Sequence, residues 1–227
     1  MSMPYYVPAE QWMKDKADYA RKGIARGRAM VGLTFADGVL LVAENHSRTL
    51  HKVSEIYDRI AFAGVGKYNE FDQLRIAGIR SADIRGYSFS REDVDARSLA
   101  NGYAQMLGHV FTHDAKPMEV EILVAEIGAS NDPDDDRLFH ILYDGTVMDE
   151  ENFSVLGGDA DAIGTRMKEK YVASSTRADA LKIAMGALSG PDRTLAMKEL
   201  EVAELHRGNG RRAFRRIEGD ELAALLA

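Results

Sequence analysis

Few residues in this chain invite a chemical reading. His109 and His113 stand four apart in a helical stretch, the spacing with which two imidazoles grip one side of a zinc ion. Between them run Val110, Phe111 and Thr112, so the general-base glutamate that follows the first histidine in a zinc hydrolase is missing. They read as ordinary helix histidines. Asp132, Asp134 and Asp136 alternate as in a calcium loop, but the glycine and the distal glutamate are absent from their required positions, which leaves a solvated acidic loop. Gly64, Gly66 and Lys67 suggest a phosphate loop, yet Tyr68 stands where Ser or Thr is needed. Gly157-Gly158 opens a helix whose N-terminus would attract an anion; tight strand-to-helix packing accounts for the two glycines equally well. No Gly-x-Ser-x-Gly elbow occurs. The chain has no cysteine, which excludes disulfides, thiolate metal sites and a cysteine nucleophile, and suits a reducing compartment. None of these patterns makes an enzyme.

The elements that would carry such residues are clearer. Pro4 and Pro8 around Tyr5 and Tyr6 keep the first nine residues from being helical throughout. From about residue 10 to 26, Met13, Ala17, Ala20 and Ile24 form one helical stripe. That helix precedes the first strand, and its apolar stripe suits either its own domain or a neighbouring subunit. Residues 29–36 and 39–44 predict a hairpin turned by Asp37-Gly38, and 56–65 a strand pair or extended run. Helices are expected over 69–86 and 90–114, the second opening on Ser90 and Asp93 in capping-box spacing. Strands return at 119–127 and 137–143. Helices follow over 159–172 and 176–188, with Thr176 and Asp179 as a second capping box and Gly190-Pro191 as a stop. Late strands at 198–205 and 212–217 lead to a short helix over 220–226.

Strands therefore come in antiparallel pairs and helices in pairs, without the alternation of a doubly wound nucleotide-binding sheet. The expected architecture is α+β: a four-layer α/β/β/α sandwich with an extra N-terminal helix. Hydrophobic residues make up 45% of the 227, enough for a sizeable core. The formal net charge of −7 argues against nucleic acid as a partner. The basic cluster Arg211, Arg212, Arg215 and Arg216 accordingly reads as a solvated or inter-subunit face. No apolar run has the length to cross a bilayer, and the N-terminus lacks a signal-peptide pattern. The expectation is a cytoplasmic chain with no membrane partner.

Several ordered segments resemble one family. They are PAEQWMKDKADYARKGIARGR, the hairpin MVGLTFADGVLLVAEN, the run KVSEIYDRIAFAGVGKYNEFDQLR, AKPMEVEILVAE, YDGTV, VLGGDADAI, KELEVAEL and RRAFRRI. Together they resemble the α-type subunits of actinobacterial 20S proteasomes over essentially the whole chain, most specifically from Lys52 to Arg75. The resemblance implies the N-terminal-nucleophile (Ntn-hydrolase) fold, the same sandwich as the element order suggests.

Catalytic β-type subunits of that family mature so that a threonine becomes residue one and its own amine activates the hydroxyl. Aligning the hairpin turn at Gly38 puts Arg28 at that place. Gly27, Arg28, Ala29 and Met30 offer no Thr, Ser or Cys. The family's acidic partner falls at Glu44 and its lysine at Lys52. The preceding helix also leaves no free amine there. The resemblance thus implies an α-type subunit with no catalytic residue, metal or cofactor of its own. It implies a heptameric ring of copies of this chain, stacked on β subunits, through which unfolded protein substrates pass. It also implies division into a flexible gate segment, 1–9, and one domain, 10–227. Met1, Ser2, Met3, Pro4, Tyr5, Tyr6, Val7 and Pro8 are the expected gate. Lys52, with Arg26 lining the same pocket, is expected to meet the C-terminal carboxylate of a regulatory ring ATPase. An internal salt bridge from Lys52 to Glu55 or Asp58 is the structural alternative. Two other readings stand beside this one. The first is an active N-terminal-nucleophile peptidase matured from a precursor, for which Thr34 is the nearest threonine; the second is a stand-alone binding module.

Overall fold

The computed structural model describes residues 8–130 and 132–227. Seven of the eight expected gate residues, Met1 to Val7, lie outside the described residues. Helix α1 (Ala9–Ala25) leads into the hairpin β1 (Met30–Phe35) and β2 (Gly38–Glu44), then β3 (Val53–Tyr57) and β4 (Ile60–Gly66). Helices α2 (Tyr68–Ser88) and α3 (Ala96–His113) follow, then β5 (Val120–Glu126), β6 (Arg137–Ile141), β7 (Val147–Glu150) and β8 (Phe153–Leu156). The chain ends with α4 (Ala160–Lys170), α5 (Arg177–Ser189), β9 (Leu200–His206), β10 (Phe214–Ile217) and α6 (Gly219–Leu226).

Two antiparallel five-stranded sheets result, in the orders β10-β9-β2-β1-β8 and β3-β4-β5-β6-β7. A strand covered on both faces must be apolar on both, and every residue of β2 is buried. Val39, Leu41 and Ala43 face Ala61, Ala63, Leu123 and Ala125 of the opposite sheet. Leu40 and Val42 point the other way, into the layer of α4, α5 and α6. Phe62, Ile122 and Val124 likewise meet α2 and α3 through Phe71, Leu74, Tyr103 and Leu107. The α/β/β/α sandwich is the observed architecture. The hairpin turns at Ala36-Asp37, one residue before the expected Asp37-Gly38, because Gly38 already pairs with Phe35 as the first residue of β2. Gly38 sits at φ 148°, where a Cβ would lie 2.0 Å from the Leu205 carbonyl oxygen, so glycine is required there.

Three further local expectations change. The run 90–114 divides into a short 3₁₀ turn, Arg91–Asp93, and α3. Val94 is buried in the α2–α3 core in an extended conformation, which breaks the helix. Asp95 then caps α3, accepting from the Ser98 backbone N–H at 2.8 Å, while Ser90 serves only the short turn. Residues 56–65 divide at Asp58-Arg59, and the first strand begins earlier, at Val53. Strands β7 and β8 were not legible, since β7 reads Val-Met-Asp-Glu on a half-exposed sheet edge and shows no apolar alternation. The Thr176 cap is as expected, its hydroxyl accepting from the Asp179 N–H at 3.2 Å.

Helix α1 packs on β4 and β5, with Ala20 and Ile24 entering the core between the sheets. Met13 is only half-buried; the buried position of that turn is Lys16, 4% exposed. Its ammonium donates to the Phe111 carbonyl at 2.9 Å and to that of Asp114, the unpaired acceptors at the end of α3. It also lies 3.6 Å from the centre of the Trp12 ring. Trp12 and Tyr19 stay exposed on the outer side of α1.

Lys16 therefore joins the N-terminal helix to the outer layer. Lys16→Met should lower unfolding stability by about 1.5–3 kcal/mol, the worth of charged hydrogen bonds to buried acceptors. Urea titration followed by the emission of Trp12, the only tryptophan in the sequence, measures it; an unchanged midpoint would show that α1 is held by its apolar stripe alone.

Candidate functional site

Arg28 lies between the end of α1 and the start of β1, and its neighbour Ala29 accepts from the Glu44 backbone N–H at 3.0 Å. The hairpin register thus sets position 28 beside the last residue of β2. Lys52 immediately precedes β3, and its ammonium donates to the Arg28 carbonyl at 2.5 Å. The three positions singled out in the sequence, Arg28, Glu44 and Lys52, do converge.

Their chemistry is ionic. Glu44 is 3% exposed and must be neutralised there. Arg193 grips it as a fork, Nη1 to Oε1 at 3.0 Å and Nη2 to Oε2 at 2.6 Å, and Nη2 also donates to the Leu188 carbonyl at 3.1 Å. Arg28 adds one more hydrogen bond to Oε1, and His46 Nε2 stands 3.4 Å from the same oxygen. Burial pulls the Glu44 carboxyl pKa upward, but the hydrogen bonds and charges of Arg193 and Arg28 outweigh it and hold the group down to about 2. Burial pushes the Lys52 ammonium down to about 8; the Arg28 charge adds to this, while Glu201 and Glu44 oppose it.

Glu201 on β9 positions that lysine. Its carboxylate accepts from the backbone N–H of Lys52 at 2.8 Å and of Val53 at 3.1 Å, from Asn45 Nδ2 at 2.7 Å and from Arg216 Nη1 at 2.8 Å. One buried acceptor therefore pins both ends of the 45–52 loop. Neither alternative partner of Lys52 takes it: Glu55 pairs with Arg212, and Asp58 with Arg91. Arg26 is exposed at the end of α1 and lines a cavity of about 440 Å³ with Arg28, Glu44, Arg166 and Arg193. Lys52 does not line that cavity and touches it only through Arg28.

Sequence reasoning missed Arg193 and Glu201. Arg193 sits in an irregular link with no pattern around it. Glu201 is one of several acidic residues in a strand, and only the sheet order β9-β2 brings it to the loop.

The remaining candidates are elsewhere engaged. Thr34 lies within β1, bonded to Tyr171 Oη at 2.6 Å and the Asn152 carbonyl at 3.2 Å. His109 and His113 stack on each other with ring centres 4.3 Å apart. Among the described residues, no group of three His, Asp or Glu side chains is placed to hold a metal. In the acidic loop Asp132 and Asp134 are exposed, as expected, while Asp136 turns inward and holds Arg207 as a fork at 2.7 and 2.8 Å. Gly157 and Gly158 sit at positive φ against Val65 and Ala29, which favours the packing explanation. Arg212, Arg215 and Arg216 of the basic cluster pair with Glu55, Glu204 and Glu201.

A sequence model described as proteasome subunit matches residues 24–204. The proteasome subunit alpha of Acidimicrobium ferrooxidans is 63% identical over 226 residues, spanning 100% of this chain and 97% of that protein. Those of Kineococcus radiotolerans and Thermobifida fusca are 56% and 54% identical, each over 100% of this chain and over 99% and 91% of their own length.

The Glu44 cluster has a defined pH signature. Its carboxyl titrates near 4.5 when unfolded and about 2 when folded, so its contribution is full above pH 4.5 and is lost as pH falls through about 2. The stability difference between the native chain and Glu44→Gln should shrink by roughly 3 kcal/mol from pH 7 to pH 2. Chemical denaturation across that range tests it; a constant difference would mean the arginines do not depress this pKa.

Proposed function

The chain belongs to the proteasome subunit family, and from that premise we propose that it is the non-catalytic α-type subunit of a proteasome core. Copies of the chain form a heptameric ring on catalytic β subunits, and the ring admits unfolded protein substrates, in the cytoplasm. The observation that carries this assignment is Arg28. A nucleophile of this fold needs a hydroxyl on a free N-terminal residue. Position 28 holds a guanidinium tied to Glu44, and α1 continues the chain in front of it. The precursor-peptidase reading finds no support, because cleavage before Thr34 would remove four of the six residues of β1.

We place activator docking at Lys52. A half-buried ammonium whose only hydrogen-bonding partner among the described residues is a backbone carbonyl retains charge for an incoming carboxylate. A regulatory ring ATPase inserting its C-terminal tails supplies that group. Arg26 stands at the neighbouring cavity as an outer contact. The gate, Met1 to Pro8 within segment 1–9, rests on sequence: seven converging copies of a proline-bearing apolar segment close a pore by bulk, and their release opens it. Residues 10–227 form the ring-building domain in the same proposal.

Co-expression with its β partner tests the core assignment. Peptide cleavage should require β and be absent from this chain alone; activity of the purified chain alone would overturn the proposal. Docking is tested by pH. ATPase stimulation should decline as pH rises through about 8, where Lys52 loses its proton, and Lys52→Arg should move that decline to higher pH. Stimulation that is level from pH 7 to 9 in both would remove Lys52 from the docking site. For the gate, deletion of residues 1–8 should speed hydrolysis of long peptides by the assembled core more than that of short ones. Equal rates before and after deletion would leave the segment without a gating role.

A further inference from the structure

We propose that Arg28 is a second ligand for the docking carboxylate, free to leave Glu44 because Arg193 already neutralises it. The inference rests on the docking role assigned to Lys52 and adds a residue and a switching partner to it.

The observation is an imbalance. Glu44 takes a two-pronged grip from Arg193 that satisfies both of its oxygens. Arg28 contributes a single additional bond to an oxygen Arg193 already serves. A paired fork is the strong geometry for a carboxylate, and one further prong adds little to it. Glu44 therefore stays compensated when Arg28 departs, which avoids the large cost of stranding a buried charge.

Arg28 is also built to move at one end only. Its backbone is held from both sides, by the Lys52 ammonium on its carbonyl and by the neighbouring hairpin bond from Glu44 to Ala29. Its side chain is 48% exposed and lines the open cavity. Lys52 and Arg28 thus come from one point of the fold, close enough that the guanidinium charge acts on the ammonium. Two cations beside each other, with Glu44 already claimed by a third, form an anion site. The planar guanidinium meets a carboxylate edge-on with two N–H groups, while the ammonium supplies a point charge. The ligand chemistry is a peptide's C-terminal carboxylate. An acidic side chain shares that chemistry, and amidation of the terminus separates the two sources.

The test uses the core assembled from this chain and its β partner. The probe is a fluorescein-labelled decapeptide copying the C-terminus of the cognate ring ATPase, as free acid and as amide, read by anisotropy. Arg28→Gln should weaken binding of the free acid about tenfold to a hundredfold and leave the already weak amide unchanged. Arg28→Lys should fall between native and Gln. Arg193→Ala should weaken the free acid too, although Arg193 does not touch it, because Arg28 must then remain on Glu44. Adding Glu44→Gln to Arg193→Ala should restore affinity by releasing Arg28, a rescue that a purely structural role for the arginines would not give. Native affinity in Arg28→Gln, with binding lost in Lys52→Ala, would overturn this inference and leave the Lys52 proposal standing. Native affinity in Lys52→Ala would overturn both.

Discussion

A carboxylate buried at the end of β2 sets the terms for everything around it. Glu44 lies where the end of β2, the α1–β1 junction and the 188–193 link meet, and an uncompensated charge there would cost several kcal/mol. Arg193 must come back from beyond α5 to neutralise it, which fixes the path of an otherwise irregular link. Arg28 reaches the same carboxylate from the junction between α1 and β1. Lys52 in turn uses the backbone so fixed as its acceptor. Glu201 repeats the device one strand away, with a single buried acceptor that holds the 45–52 loop and Arg216 together. Two glutamates on neighbouring strands therefore position the cationic patch that the proposed activator would meet.

The sandwich supplies the rigidity these contacts need. Alanines at positions 43, 61, 63, 125 and 203 and larger residues such as Met30, Leu41 and Leu123 fill the gap between the sheets, while Leu40 and Val42 turn outward to the helices. That division follows from strand periodicity alone, because residues two apart share a face. It leaves little room for a shift in register, since a one-residue slip of β2 would exchange the residues packed between the sheets for those packed on the helices. Position 28 is thus as firmly placed as the hairpin itself.

Most of this frame was legible in the sequence because it is written in local terms. Period, turn dipeptides and the Thr176 cap identify the paired strands and helices without any long-range information. The elements that escaped carry no such signature: β7 is a charged edge strand, and α3 is capped five residues later than expected, at Asp95, because burial of Val94 overrides the Ser90 cap. At the site, Arg28, Glu44 and Lys52 were found through their place in the hairpin and the segment after it. Arg193 and Glu201 were not, because each reaches its partner across about 150 residues of sequence. Lys16 escaped for a related reason: a lysine on a helix reads as exposed until the end of another helix offers it carbonyls.

The same geometry bears on the proposal that a chain with this fold and this trio of positions is non-catalytic. Nucleophilic catalysis by an N-terminal residue needs the hydroxyl and a free amine on the same residue, so connectivity matters as much as identity at position 28. Here the backbone passes through that position into a helix anchored by Ala20 and Ile24 in the core and by Lys16 on α3. The acid and the lysine that would have served a nucleophile remain in place, the acid held by Arg28 and Arg193 and the lysine on the Arg28 carbonyl. In the proposed docking role, such a trio becomes an anion-binding patch once the amine is replaced by a peptide bond: Glu44 fixes the arginines, and Lys52 is left with its charge for an incoming anion.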